Sequence, residues 1–215
     1  MRLRSSAALP SNFESEGIKL YFSQDGLAGG TWLGYTQFNR LVCLLNGAFD
    51  FYMPEPPYRK SRGQIVLDCL KLRSLDELIS YNDFDKIEPF TMLVIDWSQG
   101  LRLHEIRWDG KKKYSKILKN ETQIWSSAPL YNQQMRDMRS SWFNQWIIDN
   151  PDHTLEGLLD FHKNAGNEDP ITAINMSRKY FCTVSITGIE KKDDILRWKY
   201  LDVIGGQEKE ELVKF

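Results

Sequence analysis

The sequence predicts an α+β domain, on three observations: apolar runs of strand length open and close the chain, helix-period segments sit in its middle as pairs, and no strand–helix–strand alternation links them. At 215 residues, with 41% hydrophobic and 13% aromatic side chains, the chain is long enough for one sizeable core, and no stretch reads as a linker between two smaller ones. A single domain over residues 1–215 is expected.

Residues 1–16 are polar and turn-rich around Pro10, with no periodicity, and read as an irregular lead-in. Ile18 to Phe22 is a short apolar strand. A glycine-rich turn, Asp25 to Gly34, then runs into the β-prone Thr31-Trp32-Leu33. Arg40 to Asn46 is a continuous apolar run between polar residues, the pattern of a strand covered on both faces. The prolines of Met53 to Pro57 require a loop. Ser61 with Gln64, and Ser74 with Glu77, are capping-box pairs that open helices running to about Leu72 and about Tyr81.

Phe90 to Trp97 and Leu101 to Trp108 read as a hairpin about Ser98-Gln99-Gly100, and Asp109-Gly110 turns the chain into a strand from Tyr114 to Leu118. From Tyr131 to Asp149, Met135, Met138, Trp142 and Trp146 fall three or four apart, which points one helix face at a core or at a cofactor. A short helix from Leu155 to Lys163 follows, and strands Phe181 to Glu190 and Ile195 to Val203 close the chain.

Composition excludes several function classes. With 28 basic and 29 acidic residues there is no global field to favour nucleic acid. The odd, widely spaced Cys43, Cys69 and Cys182 form no CxxC pair, which argues against a disulfide framework or a zinc site. His104, His153 and His162 lack metal-ligand spacing, so neither a metal nor a cofactor is expected. No signal-peptide core and no run approaching the roughly 20 apolar residues of a membrane span is present, so a cytoplasmic protein is expected.

Among candidate groups, the glycine-rich turn lacks the Gly-Lys-Ser/Thr ending of a phosphate loop and leads into a strand, not a helix N-terminus. Asn46 ends five consecutive apolar residues, a partly buried setting in which its amide either ties down a turn with Gly47 or faces a pocket. Arg59, Lys60 and Arg62 crowd a helix N-terminus, where an anion or a carboxylate would offset them unless all three point to solvent. Lys111-Lys112-Lys113 reads as a solvated hairpin tip. No G-x-S-x-G elbow occurs, and Cys43, inside an apolar strand, reads as an inert thiol.

The stretch Ala28-Gly29-Gly30-Thr31-Trp32-Leu33-Gly34, followed by Leu44-Leu45-Asn46-Gly47 and Ser61-Arg62-Gly63, resembles in order and spacing the NRDE family, related to transport and Golgi organization protein 2. Trp125 to Leu130 resembles that family's mid-chain turn, with Ser127 where the family often has Asn, and Phe181 to Thr187 more loosely resembles its closing strand. The resemblance implies an N-terminal-nucleophile hydrolase fold, a four-layer αββα sandwich of two mainly antiparallel sheets. In such enzymes an N-terminal Cys, Ser or Thr attacks an amide carbonyl and its own α-amine, of pKa about 8, serves as base. By the same resemblance Asn46 is the oxyanion candidate, and Gly30, Thr31, Trp32, Arg62 and Ser127 are substrate-binding positions. The family's Met-Cys-Thr opening and Asn-Arg-Asp-Glu signature have no counterpart here, and Arg4 to Pro10 resembles the segment just after that signature. Met1 is then expected to be an internal methionine or a fragment boundary, with the first strands and the nucleophile upstream. Two functions are implied: an amide hydrolase acting on a small acylated or amino-acid-like substrate, inactive without its nucleophile, or a non-catalytic protein carrying a small hydrophobic or tetrapyrrole-like ligand.

Overall fold

Glu16 and Gly17 both sit at positive φ, 57° and 72°, and turn the chain in a two-residue hairpin. Ser11–Ser15 (β1) therefore runs back along Ile18–Phe22 (β2), paired from Ser15↔Ile18 to Ser11↔Phe22. The computed structural model describes residues 7–215, and expectations resting on residues 1–6, the reading of Met1 included, lie outside the described residues. Strand β1 replaces part of the expected irregular lead-in. Its only apolar side chain is Phe13, which stacks on Phe22 at 4.1 Å, so the alternation that marks a strand is almost silent in sequence.

The chain divides into two compact units, residues 10–132 with Phe215, and residues 7–9 with Gln133–Lys214. In the first, Leu33–Thr36 (β3), Arg40–Asn46 (β4), Phe90–Asp96 (β5), Arg102–Trp108 (β6) and Lys113–Leu118 (β7) join β1 and β2 in one seven-stranded antiparallel meander, in sequence order. Helices Arg62–Lys71 (α1) and Leu75–Ser80 (α2) lie in the connection from β4 to β5. Period-2 alternation gives this sheet one apolar face: Leu20, Val42, Leu44, Met92, Val94 and Ile106 share a core with Ile65, Val66, Leu70 and Leu78 of the helices. At the far end of β4, Arg40 and Asp96 form a fully buried pair, Nε to Oδ2 2.8 Å. Arg40 also donates to Leu72 O, and Asp96 accepts from Ser98 and Arg102, so both charges are compensated inside the core.

Both helices start where the capping residues predict. Ser61 Oγ accepts from Gln64 N at 3.3 Å and Ser74 Oγ from Glu77 N at 3.1 Å. The reciprocal halves of the two boxes are not made. Gln64 Nε2 reaches Ala28 O instead, and Glu77 Oε2 accepts from Arg73 N.

The second unit holds Gln133–Asp149 (α3), Leu155–Asn164 (α4) and a three-stranded antiparallel sheet, ordered Glu208–Val213 (β10), Ile195–Asp202 (β9), Ser185–Lys192 (β8). Leu155 and Leu159 of α4 share a core with Ile186 and Leu201. Here the sequence expectations need three corrections. Strand β8 starts at Ser185 rather than Phe181, because Phe181 and Cys182 are exposed and Cys182 makes only an isolated bridge with Ser177. Strand β10, Glu-Lys-Glu-Glu-Leu-Val, is an edge strand too charged to read as one. The buried positions of α3 are Arg139 and Phe143, whereas Met138 is 36% exposed. Arg139 sits inside because it donates to the carbonyls of Thr172 and Ala173, and this pulls the helix face round from the expected sulfur and indole stripe. Two antiparallel sheets with helices outside βαβ units make the fold α+β.

Candidate functional site

The glycine-rich segment is folded on itself. Asp25 Oδ1 accepts from the amides of Leu27 and Ala28 at 2.9 and 3.0 Å, and Asp25 N donates to Gly30 O at 2.8 Å, so these groups do not cradle a phosphate. Gly30 is needed for a close approach: a Cβ there would stand 2.5 Å from the backbone carbon of Gly63, and one on Gly63 would stand 3.0 Å from Thr31 N. Thr31 N donates to Gly63 O at 3.2 Å. The two glycine-bearing stretches that carried the family resemblance therefore press backbone against backbone. Thr31 is buried with its hydroxyl donated to Leu33 O, and Trp32, half-buried, accepts Leu44 N on its carbonyl at 2.8 Å.

Asn46 ends β4. Its side chain is exposed and makes no hydrogen bond among the described residues, which corrects the expected partly buried setting. The cause is Gly47, at φ 79°, which turns the chain under Ala128 and Pro129 and takes the buried position that Asn46 was expected to fill. Gly47 itself makes the turn, its N–H donating to Pro89 O at 2.9 Å. Ser127, 81 residues away in sequence, donates its hydroxyl to Asn46 O at 2.9 Å. Asn46 and Ser127 are thus brought together, through the Asn46 backbone, with the Asn46 carboxamide left free. Gly30, Thr31 and Arg62 make no contact of this kind with them.

Segment 119–132 also reaches the sheet face opposite α1 and α2. Trp125 Nε1 donates to Glu105 Oε2 at 2.9 Å, and Arg107 Nη2 meets the same oxygen at 2.8 Å. Burial alone would raise the Glu105 carboxyl, but Arg107 and Trp125 hold it below its ordinary 4.5. Arg107 reaches on to Ala48 O at 2.7 Å and lies over the Phe49 ring, while Thr91 Oγ1 donates to Gly47 O and Ala48 O. Sequence reasoning missed this support. Its signal was Glu105 and Arg107 two apart in a strand, which puts both on one face against the apolar His104, Ile106, Trp108 face.

The three cations at the start of α1 each meet a carboxylate: Arg59 with Asp83 at 2.6 Å, Lys60 with Asp68 at 2.8 Å, Arg62 with Glu88 at 3.2 Å. Arg62 also donates to Tyr52 Oη and Pro89 O, and Tyr52 to Glu88, so Arg62 ties the long loop after β4 to the start of β5. Burial pushes the Cys43 thiol up to about 11 and the Cys69 thiol to about 12, which leaves both as unreactive protonated thiols at neutral pH. Among the described residues no group of three or more His, Cys, Asp or Glu is placed to hold a metal ion, and no helix is long and apolar enough to cross a membrane.

The fold is similar to that of a solved protein. A variant of conjugated bile acid hydrolase from Clostridium perfringens superposes with a TM-score of 0.51 at 8% identity, over 98% of this chain and 87% of that one. A second variant of the same protein gives 0.49 at 9% identity, over 96% and 88%. Penicillin V acylase from Agrobacterium tumefaciens gives 0.43 at 11% identity, over 95% and 80%. At 8% identity the first likeness is one of fold. No curated protein sequence matches the chain. The model of the Transport and Golgi organisation 2 family matches residues 8–190, a span that takes in Gly30, Asn46, Gly63 and Ser127, and the chain belongs to that family.

Proposed function

We propose that the chain supplies the oxyanion-binding wall of an N-terminal-nucleophile amide hydrolase that acts on a small acylated or amino-acid-like substrate. The observation that carries the reading is Asn46, whose backbone is held by Ser127 while its carboxamide stays exposed and uncommitted. A donor that must stabilise charge appearing on a carbonyl oxygen needs both properties, fixed position and a free N–H. The fold likeness to conjugated bile acid hydrolase supports it. The nucleophile in this reading is a cysteine placed ahead of residue 1 in a longer form of the protein: its sulfur attacks the carbonyl, its α-amine takes the thiol proton, and the leaving amine is protonated in turn. In this reading Trp32 and Ser127 border the substrate, while Thr31 and Arg62, whose side chains bond Leu33 O and Pro89 O, and Gly30, packed on Gly63, support the surrounding loops. The family match runs across the boundary at Gln133, which supports reading the two units as one family domain.

The test is turnover of a panel of N-acyl amino acids, conjugated bile acids included, by a form with an N-terminal cysteine ahead of residue 1 and by the 215-residue chain. The first should turn over a member of the panel and the second none. Asn46→Ala in the longer form should lower kcat by about 10²–10³ with KM little changed; an equally active variant would sink the reading. The second reading, carriage of a small hydrophobic ligand without turnover, is favoured by Phe49, Phe51 and Met53, 43–73% exposed just beyond Ala48. Stoichiometric retention of an apolar ligand by the longer form, with no product, would decide for it.

A further inference from the structure

We infer that the unit of residues 10–132 carries a phosphate-binding site in the cleft between the β6–β7 turn and the connection from α2 to β5. The cleft has a volume of about 580 Å³ and is open to solvent. One side is contributed by Lys111, Lys112 and Lys113, the other by Ser80, Asn82 and Asp85. Trp108 lines it too, but its indole N–H is committed to Ile87 O.

The three lysines do different things. Lys113 donates to the carbonyls of Ile79 and Tyr81, so its charge is spent on the C-terminal end of α2 and on joining the two walls. Lys111 and Lys112 are exposed and form no ion pair among the described residues, and the Lys112 ammonium rests 5.2 Å from the Tyr114 ring centroid. The acid nearest them in sequence, Asp109, is already engaged. It accepts the amides of Lys111 and Lys112 at 2.8 and 2.7 Å and the Tyr114 hydroxyl at 3.1 Å, and so fixes the turn that presents both ammonium groups. Across the cleft, the Ser80 hydroxyl and Asn82 amide make no hydrogen bond among the described residues. Asp83 is paired with Arg59, which leaves Asp85 as the opposing carboxylate.

The ammonium charges of Lys111, Lys112 and Lys113 outnumber the carboxylates of Asp85 and Asp109, which favours an anion, and a dianion gains more from that excess than a monoanion. The volume leaves room for more than the phosphate, so the ligand class is a phosphorylated small molecule or the phosphate of a lipid headgroup. Phe51 and Met53, 69% and 73% exposed, lie on the loop that Arg62 ties to Pro89, at the same end of the sheet, where Asn46, Phe90, Trp108 and Lys113 are paired in one cross-strand row.

The experiment is an NMR titration of the 215-residue chain with inorganic phosphate and with glycerol 3-phosphate, beside sedimentation with phosphatidylcholine vesicles with and without phosphatidic acid. Saturable shifts at the amides of residues 80–85 and 111–113 are expected. The double variant Lys111→Gln, Lys112→Gln should weaken binding by about tenfold or more, and Asp85→Asn should tighten it. All three positions are exposed, so an unchanged melting midpoint will show that the variants fold. Binding of glycerol 3-phosphate assigns a soluble ligand, and sedimentation that needs phosphatidic acid and both lysines assigns a lipid. No saturable binding in either arm, or binding that the lysine variant leaves intact, overturns the site. Neither arm involves turnover, so the result is independent of whether the chain belongs to an amide hydrolase.

Discussion

Two corners of the seven-stranded unit lie within the span that matches the family, and they use their residues in opposite ways. At Gly30 and Gly63 both carbonyls are committed: two backbones touch, Asp25 N bonds Gly30 O, Thr31 N bonds Gly63 O, and no side chain could be added to either glycine without moving main chain. At Asn46 and Ser127 the backbone is fixed and the carboxamide is free. A shared sequence pattern therefore marks two kinds of necessity. The first corner sets where strand β3 leaves the loop and where α1 begins, and its residues are legible as a motif because only glycine fits. The second leaves an exposed carboxamide without a hydrogen bond among the described residues.

The contrast can be broken by substitution. Gly30→Ala should cost at least the ~1–3 kcal/mol of an overpacked core, since the neighbour at 2.5 Å is backbone and cannot swing away. A Tm within a degree of the parent would show that the close approach is not required. The Glu105 site on β6 should give a smaller, pH-dependent effect. Its folded carboxyl lies below the ordinary 4.5, so its contribution is fully present above that value and is lost as pH falls through the lower folded value. Glu105→Gln should flatten stability against pH in this window, measured by urea midpoints between about pH 3 and 5. A curve parallel to the parent's would mean that Arg107 and Trp125 do not depress the carboxyl. The smallest expected change is at the second corner: Asn46→Ala should leave stability within ~0.5 kcal/mol, as for a surface side chain with no partner. A larger loss would show that the carboxamide has structural work, and the two corners would cease to differ.

How much of this was legible depended on burial. Ile18–Phe22 and Arg40–Asn46 were readable with their observed bounds because they are nearly continuous buried strands in the middle of a sheet. Strands β1 and β10 escaped because edge strands alternate charged and polar residues with few apolar ones. Arg139 misled the reading of α3, since a buried arginine satisfied by carbonyls looks like a surface residue in sequence. At the candidate site, Asn46 stood out by its place after an apolar run, and Ser127 came only from the family resemblance. Glu105 and Arg107 were missed because they are ordinary strand charges until Trp125 is known to fold over them. The touching of Gly30 and Gly63 is a tertiary fact that no local pattern states.

The meander has a consequence for how the chain finds its shape. All six of its strand pairings join neighbours in sequence, and all but the β4–β5 pairing close over ten residues or fewer. That pairing must close over residues 47–89 before its seven residue pairs, Arg40↔Asp96 to Asn46↔Phe90, can form. Loop closure grows only logarithmically with length, but it comes before any reward from pairing. The two hairpin sets, β1–β4 and β5–β7, can therefore assemble as separate halves, with α1 and α2 packing against residues from both. The helices that fill the excursion are also what clasps the halves, so the same segment that lengthens the loop supplies the core that holds its two ends together.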